Sequence, residues 1–350
     1  MDNAIIPHSR PFLDRSDMRA VGAAMRSGFL SQGDEVHEFE KRFARVIGKK
    51  NAAATSSGTA ALHLALLALD IKENDEVVLP SFVCSAVLNA VHYTRATPVL
   101  ADIDPLTFNL SPEAVRHALT RKTKAIIVPH LFGCPADIDR LSELGIPLIE
   151  DCAQALGATF RGRKAGSIGL LSVFSFYATK VITSAEGGMV LSDSKSLMSK
   201  IRDLRDYDNK KDYRLRYNYK MNDLQASLGL SQLSRLEEFI ARRRRIAALY
   251  FEEFKGCRFS LPVWKEGNEH IYYRFVIKTE KDASAYLEKL QRKKVQGRRP
   301  IYLPLHVYLR WRGFPRTMAA WRRSLSIPLY PSLKKTEIEK IIAVVKEIFK

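Results

Sequence analysis

The chain has 350 residues, of which 46% are hydrophobic and 27% charged, with a formal net charge of +18. That length allows a sizeable core and about two domains, and the composition excludes a disordered or fibrous chain. No run of about 20 apolar residues is present to span a bilayer and no N-terminal apolar segment reads as a signal peptide, so no membrane association is expected.

In chain order, 52–54 reads as a short strand and 60–69 as a buried helix. Strand-like runs then follow at 76–79, 98–102, 124–128 and 147–149, separated by helical stretches at 85–93, 112–119 and 138–144. Apolar strands alternating with helices predict an α/β fold with a mainly parallel sheet covered on both faces. Ligands of such sheets gather at the carboxyl ends of the strands. A further strand at 170–174 leads to Ser175, and Glu186-Gly187-Gly188 turns into another. Beyond residue 235 the pattern changes to a long helix (236–254), a strand (272–278), a helix (283–292) and an amphipathic C-terminal helix (337–349). These predict a large domain over 1–235 and a smaller α+β domain over 236–350.

The charge admits nucleic acid, an anionic surface or an acidic small molecule as partner. Its dense run, Arg242 to Arg245, lies in the long helix and reads as a solvated or interface feature. No helix-turn-helix, zinc or RNA-binding signature accompanies it, so nucleic acid is not the expected partner. Cys84, Cys134, Cys152 and Cys257 lie far apart with no C-x-x-C pair. They read as free thiols in a reduced, cytoplasmic setting, with no metal site expected. His63, His130 and His306 have no partner at metal-ligand spacing and read as packing or hydrogen-bonding residues.

Three groups sit just past strand-like runs. Ser56-Ser57-Gly58-Thr59 feeds a helix N-terminus, where free N–H groups either cradle a phosphate or are simply capped. Glu150-Asp151 ends a strand, so one of the two acids points into the cleft, and Gln154 lies a turn beyond. Lys180 follows Ser175-Phe176-Tyr177-Ala178-Thr179. A partly desolvated lysine there can act as a nucleophile. Pyridoxal phosphate (PLP) requires an amine, an acid for its ring nitrogen and donors for its phosphate. Lys180, Asp151 and Ser57-Gly58-Thr59 supply one of each.

The ordered motifs resemble the DegT/DnrJ/StrS family of PLP-dependent sugar aminotransferases over nearly the whole chain. They comprise Ser27-Gly28-Phe29-Leu30-Ser31-Gln32-Gly33, Ser57-Gly58-Thr59-Ala60-Ala61-Leu62-His63, Glu150-Asp151-Cys152-Ala153-Gln154-Ala155 and Ser175 to Lys180. Glu186-Gly187-Gly188-Met189, Tyr217-Asn218-Tyr219-Lys220-Met221-Asn222-Asp223 and Pro304-Leu305-His306 continue the series. The resemblance implies the fold type I aminotransferase architecture and Lys180 as the covalent cofactor lysine. It also implies Asp151 at the pyridine nitrogen, Gln154 near the ring hydroxyl, and Ser57, Gly58, Thr59 and Ser175 around the phosphate. Asn218 is implied to reach the site of a neighbouring subunit in a homodimer with shared active sites. The implied substrates are an amino acid, glutamate by family habit, and a nucleotide-linked keto-sugar. The family's dehydratase branch carries histidine in place of the lysine, so Lys180 argues against dehydration. The sequence departs from the family at Cys84, where an aromatic over the ring is frequent, with Phe82 two residues earlier. It departs again at Ala185, where glycine is common, and the C-terminal region is the poorest match.

Overall fold

A computed structural model describes residues 4–350. Its strands are β1 (Asn51–Thr55), β2 (Glu76–Pro80), β3 (Thr97–Ala101), β4 (Thr123–Pro129), β5 (Leu148–Asp151), β6 (Thr159–Phe160), β7 (Arg163–Lys164), β8 (Leu171–Ser175), β9 (Gly188–Ser192), β10 (Phe259–Ser260), β11 (Asn268–Glu269), β12 (Phe275–Thr279) and β13 (Ser324–Ile327). Seven form one sheet in the order β1-β9-β8-β5-β4-β2-β3. The five strands from β8 to β3 are parallel, whereas β9 runs antiparallel to both β8 and β1. The sheet is therefore mixed at one edge, and the twelve-residue connection between β8 and β9, residues 176–187, carries Lys180.

The central strands read as continuous apolar runs because both faces are covered. Ala125 to Val128 and Leu148 to Asp151 are buried throughout. The helix Gly58–Ala68 is Ala- and Leu-rich on every side and buried nearly all round. It packs on β8 and β9 below and on the helices Ser85–Tyr93 and Lys195–Arg205. Two amphipathic helices, Arg15–Ser27 and Asp34–Ile47, lie against the helix Asp223–Leu233.

After residue 235 the helix Leu236–Glu253 bridges two apolar cores. Leu236, Phe239 and Ile240 pack with sheet residues such as Phe174 and Met189. Ile246, Ala247 and Tyr250 pack in a separate core with Phe275, Leu325 and the helix Lys335–Ile348. The three-stranded sheet β10-β12-β13 supports that second core. Among the described residues, no helix is long and apolar enough to cross a membrane.

Candidate active site

The alternation of side chains along a strand separates the two acids at the end of β5. Glu150 turns away from the cleft. It accepts from His130 Nε2 at 2.9 Å and from the backbone N–H groups of Gly166, Ile168 and Gly169. His130 Nδ1 accepts from Ala136 N–H at 2.9 Å, which places the ring proton on Nε2. Burial alone would raise the Glu150 carboxyl, but His130 and the glycine N–H groups outweigh it and hold it below the ordinary range. Glu150 thus fastens the 166–169 turn beneath the site. Glu150→Ala should cost about 3–5 kcal/mol of stability by leaving these donors unpaired, read as a lower urea midpoint at unchanged m-value. His130, Glu150 and Cys152 lie within chelating reach of one another, but the first two are committed to each other and to backbone.

Asp151 faces the cleft. One oxygen accepts from Ala153 N–H at 3.0 Å, its sole hydrogen bond among the described residues, and no cation is within ion-pair distance. Burial pushes its carboxyl above the ordinary value, with Lys180 acting in the opposite sense. A buried carboxylate short of a positive partner suits a protonated ring nitrogen.

Asp151, Lys180, Gly58, Thr59, Cys84 and Ser175 line one cavity of about 230 Å³. Gly58 makes its upper rim possible. A Cβ there would stand 2.8 Å from Ser175 Cβ, so only glycine lets the two turns meet. Ser57 caps the helix, its Oγ accepting from Ala60 N–H at 3.1 Å. Capping and cradling coexist in this turn, since Ser57 also lines the cavity. The exposed N–H groups of the first helical turn, with the Thr59 and Ser175 hydroxyls, match the needs of a phosphate. The residues present therefore fit PLP.

Lys180 Nζ lies 5.5 Å from the centroid of the Tyr273 ring. Burial would raise the Tyr273 phenol, but Lys180, Arg274, Thr179 and Arg243 together lower it to about 8. Tyr273 arrives from just before β12, and its sequence gave no sign of a role. Phe82 does not line either cavity beside Lys180. Phe82 is fully buried, stacked on Phe108 at 5.6 Å and set edge-on to Phe132. Cys84 is the residue at the cavity wall, where it is exposed to the cleft. Ala185 has φ +66°, the left-handed region that explains a preference for glycine there.

Gln154 accepts from Phe132 N–H at 2.9 Å and borders a second, adjoining cavity of about 840 Å³. Lys180 and Cys84 line both. Arg274, Arg298 and Arg299 also line the larger one, with Tyr302 and Trp321. Arg299 pairs with Asp282 and lies 4.3 Å above the Trp321 ring, while Arg274 and Arg298 have no acidic partner among the described residues. Asn218 is not brought to Lys180 within one chain. It is exposed, on the irregular segment before the helix Asp223–Leu233. The three histidines sit in packing positions. His63 contacts Tyr217 and Tyr219, and burial lowers its pKa to about 4. His306 Nδ1 is 2.6 Å from Ser81 Oγ.

Comparison with known proteins places this geometry. The model of the DegT/DnrJ/EryC1/StrS aminotransferase family matches residues 11–346. The chain is 34% identical to GDP-perosamine synthase of Caulobacter vibrioides, covering 97% of this chain and 96% of that one. Among solved structures it resembles the aminotransferase TlmJ from Streptoalloteichus hindustanus, with TM-score 0.93, 29% identity and 99% of each chain covered. The PLP-form of Spr1654 from Streptococcus pneumoniae superposes with TM-score 0.92 at 27% identity over 98% of each chain.

Proposed function

The chain belongs to the DegT/DnrJ/EryC1/StrS aminotransferase family and is a PLP-dependent aminotransferase. From that premise we propose that it moves an amino group from an amino acid, glutamate by preference, to a nucleotide-linked keto-sugar. The observation that carries the reading is the convergence of Lys180, the unpaired buried Asp151 and the Gly58–Ser175 rim on one cavity that opens into an arginine-lined one. When bound, PLP supplies an electrophilic carbonyl carbon and a ring that draws electrons from the substrate carbon.

The roles we assign to this chain rest on position in the cavity together with the family pattern. Lys180 would hold the cofactor covalently through Nζ, and the same nitrogen, when free, would move the proton at the substrate carbon. Asp151 stays ionised opposite the ring nitrogen and keeps it protonated. Ser57, Gly58, Thr59 and Ser175 hold the phosphate, and Gln154 lies on the side of the ring hydroxyl. Asn218 extends to the phosphate held by a second copy, so a homodimer has two shared sites. Arg274 and Arg298 meet the anionic groups of both substrates. A nucleotide-linked acceptor suits the roughly 840 Å³ of the outer cavity, and the Caulobacter relative is named for a GDP-linked sugar. We place the enzyme in the cytoplasm, where such substrates are made.

Protein loaded with the aminated cofactor should convert at least one member of a panel of GDP-linked and other nucleotide-linked keto-sugars, with return of the PLP absorbance. If it reacts with free 2-oxo acids alone, the sugar acceptor is refuted while the transaminase assignment stands.

A further inference from the structure

The basic excess is unevenly placed. Residues 236–350 hold 26 Lys and Arg against 12 Asp and Glu, so this third of the chain carries +14 of the +18. The stretch 289–336 holds 13 Lys and Arg and no acid. The run at 242–245 does not account for it as a binding feature. Arg243 is buried and donates to the carbonyls of Tyr272, Tyr273 and Leu329, Arg242 donates to Leu333, and Arg244 pairs with Glu269.

The helix Pro315–Arg323 gives the excess a destination. Trp321, on one side, lines the outer cavity of the active site. Arg316 and Arg323 line a different cavity of about 530 Å³, which shares no residue with those around Lys180. Arg258, just before β10, and Lys278, near the end of β12, bring two further cations to it, against one acid, Glu280. Lys278 Nζ is anchored by the carbonyls of Pro105 and Leu106 and lies 4.6 Å over the Phe108 ring. The guanidinium groups of Arg258, Arg316 and Arg323 make no ion pair and no hydrogen bond among the described residues. Arg316 moreover sits in the first turn of its helix, where the macrodipole disfavours a cation. The Asp102 carboxylate accepts from the Arg316 and Thr317 N–H groups at that helix end, but the Arg316 guanidinium does not pair with it.

We propose that this cavity is a second anion site that binds a diphosphate group, either free or as part of a nucleoside diphosphate. Guanidinium forks match phosphate oxygens in geometry as well as charge. A single carboxylate is too small to engage cations brought together from three separate elements. The volume is that of a small-ligand site, and Phe259 supplies an apolar wall. The site stands independently of the sugar acceptor proposed above.

Calorimetric titration of the PLP-loaded protein with inorganic pyrophosphate at low salt tests it. Saturable binding at a site additional to the active-site arginines is expected, weakened at least tenfold in the double variant Arg316→Ala/Arg323→Ala and retained in Arg298→Ala, which removes only the contribution of the outer cavity of the active site. A control that removes equal charge elsewhere, Lys340→Ala/Lys350→Ala, should leave binding intact. A parallel titration with ADP identifies the source. Tighter binding than pyrophosphate indicates a nucleoside diphosphate, and weaker binding a free diphosphate. No saturable binding, loss in Arg298→Ala alone, or equal loss in the charge control would overturn the site.

Discussion

Lys180→Ala should lose the visible absorbance of protein-linked PLP and should lower kcat by at least about 10³. General acid–base transfer by a positioned side chain accounts for about 10²–10⁴ in rate, and the covalent exchange route disappears with the same nitrogen. The fold should survive, because the Lys180 side chain makes no hydrogen bond and no ion pair among the described residues, and its Nζ lies over the Tyr273 ring at the cleft. An unchanged melting curve of the cofactor-free proteins alongside the lost activity separates chemistry from unfolding. A second readout is available in the same variant. Lys180 is the largest influence holding the Tyr273 phenol down at about 8. Its removal should move the Tyr273 phenolate transition to higher pH, seen by ultraviolet titration. Retained turnover in Lys180→Ala would remove the central assignment.

Asp151→Asn is expected to fold and to lose roughly 10²–10³ in transamination, the scale set by removing one preorganised electrostatic partner. Its stability should depend on the cofactor in opposite senses. In the apoprotein the Asp151 carboxyl is raised by burial, so the folded state favours the protonated form. A raised acid favours the fold below the unfolded carboxyl value, and that advantage fades as pH rises through the folded value. As pH rises through the folded value the apo wild type must charge a buried carboxyl that asparagine never charges, so above that point the apo variant should melt at or above the wild type. With PLP bound, the ring nitrogen offsets that charge, and the wild type should gain more from the cofactor than the variant does. Thermal melts of both proteins with and without PLP measure the crossing. Equal cofactor-induced shifts would detach Asp151 from the ring.

The sequence was most legible where local pattern and chemistry coincide. The apolar runs of β2, β4 and β5 are buried on both faces, so they stand out without periodicity. The strand-end residues Ser57, Asp151, Ser175 and Lys180 mark the places where such a sheet exposes polar groups. The helices Arg15–Ser27 and Asp34–Ile47 escaped the reading because their apolar stripes are narrow and their surfaces strongly charged, although Asp14 and Asp17 form a capping box and Gly28 ends the first helix in the left-handed region. Tyr273 escaped for another reason. It lies 93 positions beyond Lys180, and only the crossing of the helix Leu236–Glu253 between the two cores brings it back to the cleft. The choice between Glu150 and Asp151 rested on strand phase, which two adjacent acids do not reveal until the partners of each are seen. The aromatic at Phe82 is likewise readable as a residue type but not as a direction.

One strand controls when the site can come into being. β1 has no sheet neighbour except β9, whose residues pair with it across more than 130 positions: Ala53 lies opposite Val190. During synthesis the Ser57 turn therefore emerges early on an unpaired edge and waits. Its place beside Ser175 is fixed only after β9 has left the ribosome and folded back between the two. Such a long-range closure is slow compared with the local helices around it. The cofactor seat is accordingly a late product of folding, and PLP added to the growing chain would find nothing to hold until the returning strand is home.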